Sequence, residues 1–286
     1  MLEEVYLLSD KQLRANRNAA LYLLVELRDR TGMLSARMWN VTEEQVAHVQ
    51  TGDFVQVRGK VQLYQGALQM IISHITGVPA TNIDPADFQK QSERDVGQLS
   101  GRLRELLETI QQPAVRALAD SFLDDEKFMS DFCAAPAGIK AHHTYRGGLL
   151  EHVVNMLEVA YRIADLYPSV DRDLLLAGIL MHDMGKIREL SYENAYAYTE
   201  EGQMLGHLVI AVEMLSEKVA ETEQRTGQKF PCEALLRLKH MIVSHHGTYE
   251  FGSPKLPMTI EAIALHHLDN LDAKIHEFAR TIADDP

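Results

Sequence analysis

The chain has 286 residues, 46% hydrophobic and 24% charged, an ordinary globular composition and enough length for a sizeable core and two domains. A formal net charge of −13 argues against simple electrostatic capture of nucleic acid, although residues 1–80 are balanced, with eight basic and eight acidic side chains. No apolar run approaches the ~20 residues of a membrane span, and Met1-Leu-Glu-Glu lacks a signal peptide's basic head and apolar centre, so a cytoplasmic protein without a membrane partner is expected.

Residues 1–76 read as strands. Leu21, Leu23, Val25 and Leu27 alternate onto one face, Asp29-Arg-Thr-Gly32 makes a turn, and Met33 to Trp39 alternates again. Thr42 is placed to cap a short helix over Glu43 to Val49; strands then follow at Phe54–Gly59, Val61–Tyr64 and Leu68–Ile75, the last two around Gly66. About five strands with one inserted helix predict a small closed barrel of the OB type over 1–77. With the aliphatic alternates inward, Tyr22, Arg37, Trp39, Phe54 and Arg58 point outward. Tyr22, Arg37 and Trp39 are the substrate-binding candidates, because exposed aromatics beside arginine form a stacking surface for single-stranded bases.

Residues 78–97, polar and carrying Pro79 and Pro85, read as an interdomain linker. From 98 to 286 the pattern is helical, with helices predicted over 98–111, 114–132, 149–166, 172–184, 203–222, 232–245 and 259–281. The fold class is therefore an all-β barrel followed by an all-α domain. Cys133 and Cys232 have no metal-type spacing and read as inert packing residues in a reducing compartment.

The chemistry concentrates late: 11 of the 13 histidines follow residue 140. The run Leu174 to Met181 is apolar on every side, so His182-Asp183 at its end is buried, and a buried carboxylate needs a strong partner such as a metal ion. His152, His207, His245, His246 and Asp269 offer nitrogen or oxygen ligands from other helices. Imidazole with carboxylate and no thiolate suits Mn, Fe, Co, Ni or Zn. Adjacent helical residues diverge by about 100°, so only one of His245 and His246 is expected to ligate directly.

These residues resemble the HD phosphohydrolase superfamily: a His (His152), a His-Asp pair (His182-Asp183) and a distant Asp (Asp269), with His207 and His245-His246 similar to the two-metal extension. With Leu27-Arg-Asp-Arg-Thr-Gly32, His142-His-Thr-Tyr-Arg-Gly-Gly-Leu-Leu-Glu-His152, Ala177 to Lys186 and Glu201-Gly-Gln-Met-Leu-Gly-His207, nearly the whole chain resembles the YhaM-type 3′→5′ exoribonucleases. The resemblance implies two divalent ions, Mn favoured, sharing Asp183 and activating water for attack on phosphorus. It implies digestion of single-stranded RNA, with single-stranded DNA a second candidate, from the 3′ end to 5′-mononucleotides. Lys186 would stabilise transition-state charge, Arg146 would grip a phosphate, and assembly as a homo-oligomer is compatible. Two alternatives stand beside this reading: an HD phosphohydrolase of a small or cyclic nucleotide, and a non-catalytic nucleic-acid-binding protein.

Overall fold

Alternating aliphatics build a barrel here because each inward side chain meets one from the opposite wall. The computed structural model describes residues 1–16, 18–79, 81, 83, 87–88, 94–138, 145–192 and 197–283, without the side chains of 280 and 283. Two compact units emerge, Met1–Gln91 with Tyr192–Tyr196, and Ser92–Ser191 with Ala197–Pro286.

In the first unit, β1 (Leu2–Ala15), β2 (Leu21–Asp29), β3 (Gly32–Trp39), β4 (Phe54–Tyr64) and β5 (Ala67–Gly77) close in the order β1-β2-β3-β5-β4. β3 and β5 run parallel, with Ala36 opposite Met70, and β1 and β4 close the barrel antiparallel. This is the OB-fold. Leu8, Leu23, Val25, Leu27, Ala36, Val57 and Met70 fill its interior. Helix α1 (Glu43–Val46) is shorter than expected. Thr42 and Gln45 make its capping box, and the Lys11 ammonium donates to the carbonyls of Val46 (2.7 Å) and Val49 (2.6 Å), ending it early.

The outer face needs one correction. Phe54 is buried, edge-to-face against Phe88 at 5.0 Å with Leu7 beside it, because Val78, Ile83 and Phe88 of the stretch read as a linker pack around it. Arg58 points outward as expected and is paired there with Glu3 at 2.8 Å across β4 and β1.

The second unit is helical: α2 (Val96–Leu107), α3 (Pro113–Leu123), α4 (Glu126–Ala134), α5 (Gly148–Ile163), α6 (Arg172–Met181), α7 (Lys186–Glu189), α8 (Glu200–Thr226), α9 (Cys232–Ser244) and α10 (Ile260–Ala283). Two short strands, β6 (Leu190–Ser191) and β7 (Ala197–Tyr198), pair between α7 and α8. The expected helix over 114–132 is two helices, because the Asp125 carboxylate accepts the Phe128 N–H at 2.9 Å and caps a new one. Helix α6 is buried from Asp173 to Met181 and packs against α3, α5, α9 and α10. Cys133 is half-buried, but Cys232 is exposed at the start of α9 and is no packing residue. No helix among the described residues is long and apolar enough to cross a membrane.

Candidate metal centre

Helix α6 points its C-terminus at the middle of the unit, and His182 is its C-cap. The following turn carries Asp183 (2% exposed) and doubles back at Gly185, where a Cβ would lie 2.1 Å from the His207 carbonyl oxygen. Only glycine permits that approach to α8. Helix α8 itself breaks at Gly206 (φ 72°), so His207 begins a new helical segment with a redirected side chain. His152 comes from α5 and Asp269 from α10, while His245 caps α9 and His246 follows it.

All seven residues converge. They form three overlapping groups able to hold a metal ion, His152-His182-Asp183, His182-His245-Asp269 and His207-His245-His246, with ligand atoms within 4.8 Å of one another in each. Asp183 sits between two sets of imidazoles. Its Oδ2 faces His182 Nε2 (3.5 Å) and His152 Nε2 (4.0 Å), and its Oδ1 faces the Nε2 atoms of His207 and His245 (3.5 Å each). His152 Nε2 also lies 3.3 Å from Asp269 Oδ1, and His246 Nε2 lies 3.2 Å from His207 Nε2. Both adjacent histidines thus reach the centre. They do so at the C-terminal end of α9, just before the chain turns at Gly247 (φ 80°).

Every one of these imidazoles has its Nδ1 engaged elsewhere, which turns Nε2 inward. The partners are Asp272 Oδ2 for His152 (2.7 Å), Glu189 Oε1 for His207 (3.0 Å), and the carbonyls of Ile179, Ile242 and Phe251 for His182, His245 and His246 (2.8 Å each). Such outer partners set tautomer and ring orientation in metal sites. Among the described residues, buried His182 Nε2 and Asp183 Oδ1 have no hydrogen-bond partner. Inward donors that no protein group satisfies, drawn from imidazole and carboxylate alone, fit a divalent transition ion.

Burial pushes His182 down to about 3 and, with the neighbouring His245 and His207, His246 down to about 4, so both imidazoles are neutral at neutral pH. Burial also opposes charge on His152, but Asp269 and Asp272 outweigh it and raise that imidazole to about 9. For Asp183, burial works against ionisation, yet the Lys186 ammonium and then His182, His245 and His207 hold the carboxyl well below the usual range. Lys186 Nζ donates to Asp183 Oδ2 and to the Ala137 carbonyl, both at 2.6 Å, so its contact is with the central carboxylate.

Arg146 is exposed immediately before the glycines that start α5. His142 and His143 lie outside the described residues. His266 Nδ1 hydrogen-bonds the His245 carbonyl at 2.8 Å, and His267 is exposed. On the barrel, Tyr22 and Trp39 are cross-strand partners with ring centroids 5.0 Å apart, and Trp39 is 42% exposed. The Arg37 guanidinium is 5.9 Å from both the Trp39 and the Tyr64 ring centroids. Sequence reading missed Tyr64, Asp272 and Glu189. Tyr64 follows the outward alternation past Gln62, and Asp272 lies three residues after Asp269 on one helical face, so both left a signal; Glu189 left none.

Residues 149–274 match the HD domain family, and residues 8–77 match the OB-fold nucleic acid binding domain family. The chain is 37% identical to the 3′-5′ exoribonuclease YhaM of Bacillus subtilis over 266 residues, covering 93% of this chain and 82% of that protein. It is 39% identical to the 3′-5′ exoribonuclease YhaM of Bacillus velezensis over 261 residues, 90% of this chain and 80% of the other. The corresponding protein of Listeria monocytogenes serovar 1/2a is 35% identical over 260 residues, 91% of this chain and 80% of that one.

Proposed function

The chain belongs to the family of 3′-5′ exoribonuclease YhaM, a family of phosphodiester hydrolases, and from that premise we propose that it is a metal-dependent exonuclease removing 5′-mononucleotides from the 3′ end of single-stranded RNA. The observation that carries this reading is Asp183, a buried carboxylate whose two oxygens face separate sets of inward imidazoles. In the proposal, His152, His182, Asp183 and Asp269 hold one ion, and Asp183, His207, His245 and His246 hold the other. Mn is favoured; Fe, Co, Ni and Zn suit the same donors. A bound pair of divalent ions supplies Lewis acidity toward water and the phosphodiester and offsets charge gathering at phosphorus.

The chain's own groups do the rest. Asp183 ties the two halves together, and Lys186 holds the Asp183 Oδ2 edge in place. Arg146, exposed at the mouth of α5, grips a phosphate of the scissile region by a bidentate contact. Tyr22, Trp39 and Tyr64, with Arg37 between them, offer bases a stacking surface on the β2–β3 face where OB barrels take oligonucleotides. We assign strand holding to residues 1–77 and hydrolysis to residues 98–286, within a cytoplasmic protein. Single-stranded DNA, which offers the same stacking faces, is a second substrate. That aromatic face weighs against a hydrolase confined to small or cyclic nucleotides.

The test is Mn2+-dependent digestion of 5′-labelled single-stranded RNA beside the Asp183→Ala variant, resolved on a sequencing gel. A ladder shortening from the 3′ end, lost in the variant together with bound metal, is expected. Intact RNA in the presence of metal-loaded wild-type protein would sink the reading.

A further inference from the structure

Among the inward imidazoles, three have their Nδ1 on backbone carbonyls, those of Ile179, Ile242 and Phe251. The other two, His152 and His207, are backed by side-chain carboxylates, Asp272 Oδ2 at 2.7 Å and Glu189 Oε1 at 3.0 Å. These two imidazoles fall in different halves of the centre, on opposite oxygens of Asp183.

Glu189 does more than orient a ring. The break at Gly206 makes His207 the start of a helical segment, whose leading N–H groups lack intrahelical acceptors. The same Glu189 Oε1 accepts the His207 backbone N–H, also at 3.0 Å. One oxygen therefore caps the redirected helix and aims the imidazole it carries. Its own position is locked: Thr199 donates to the Glu189 carbonyl through N–H (2.9 Å) and Oγ1 (3.2 Å), and a Cβ on Gly202 would sit 2.2 Å from that carbonyl oxygen.

Charge gives these carboxylates a second task. Asp183 and Asp269 are the anionic ligands among the seven converging residues, and together they offset half the charge of two divalent ions. Glu189 and Asp272 bring two further negative charges, each one imidazole away, before the Lys186 ammonium on Asp183 is counted.

Resting on the two-ion reading above, we propose that Glu189 and Asp272 are positioning residues, one for each ion. Glu189 sets the affinity of the ion held by His207, His245 and His246; Asp272 sets that of the ion held by His152, His182 and Asp269. An anionic partner keeps each imidazole in the ligating tautomer and raises its basicity, an effect of about 10–100-fold in metal affinity at other such sites.

The experiment titrates Mn2+ into the metal-free full chain, following free Mn2+ by electron paramagnetic resonance and bound metal by mass spectrometry. Glu189→Gln keeps an oxygen that can accept both His207 bonds and removes the charge alone; Asp272→Asn does the same for His152. Wild type is expected to take two ions, and each variant one ion unchanged and one weakened about 10–100-fold. In a His207→Ala background, Glu189→Gln adds no further loss, whereas Asp272→Asn weakens the remaining ion. Thermal melting of the metal-free variants matches wild type. Two ions of wild-type affinity in both variants would overturn the proposal and leave the two-ion reading intact. A metal-free Glu189→Gln protein that melts far below wild type would overturn it in favour of a purely structural role. A wild-type protein that takes one ion would remove the two-ion reading, and the proposal with it.

Discussion

His182 and Trp39 mark two extremes of what a side chain can contribute, one wholly buried and the other 42% exposed. Trp39 stabilises little by burial, so its ring is available as a base-stacking platform. Trp39→Ala is expected to weaken binding of a single-stranded oligonucleotide by ~1–3 kcal/mol while sparing hydrolysis of a small chromogenic phosphodiester. Fluorescence anisotropy against chromogenic turnover checks both halves, and unchanged RNA affinity would remove Trp39 from the surface. Residue by residue, the metal candidates were legible because histidine and aspartate inside apolar helices stand out against their neighbours. Phe54 was misread because period-two alternation reports inside against outside of the barrel only. It carries no information on whether a later segment, here Phe88, returns to cover the outer face.

Among the elements, the α6–α7 turn and α8 meet too closely for any side chain at Gly185. Gly185→Ala drives a Cβ against the His207 carbonyl, a backbone atom that cannot swing aside, and is expected to destabilise by about 1–3 kcal/mol. Urea unfolding reads that cost; an unchanged midpoint would mean that the two backbones part freely. Further along α8, Lys218 reaches the Asp125 cap of α4 at 2.8 Å and Glu221 at 2.7 Å. Burial opposes the Lys218 charge, but Asp125 and Glu221 raise its pKa above 10.5, while Lys218 and the Phe128 N–H lower that of Asp125 below 3.8. The Lys218 contribution is therefore complete below pH 10.5 and fades as pH rises through its folded pKa. The Asp125 contribution is complete above pH 3.8 and fades as pH falls through its folded pKa. Lys218→Met should cost about 1 kcal/mol near neutrality and progressively less beyond either limit, as read from melting across pH. Helix existence was legible from apolar periodicity, whereas helix ends were decided by local hydrogen bonds. Asp125 splits one predicted helix, and Gly206 redirects another without ending its apolar stripe. Glu189 escaped notice for the same reason: its role arises where a short strand pair returns the chain to α8, a junction without periodicity.

For the whole molecule, the division into two compact units predicts two separable responses to metal. Ligand binding stabilises only the unit that holds the site, by an amount set by free ion concentration over affinity. Calorimetry with and without Mn2+ should raise the transition of the helical unit and leave that of the barrel in place; a joint shift would mean that the units melt together. The metal centre also has a property set by chain order. Its proposed ligands begin at His152 and finish at Asp269, which lie 3.3 Å apart after a detour of more than a hundred residues. Loops of that size close late, after the local helices have formed. During synthesis the first four ligand-bearing segments emerge before the one that completes the set. With the ligand set proposed above, a nascent chain from which α10 has not yet emerged carries its barrel beside an unfinished centre, and hydrolysis waits for the helix that brings Asp269.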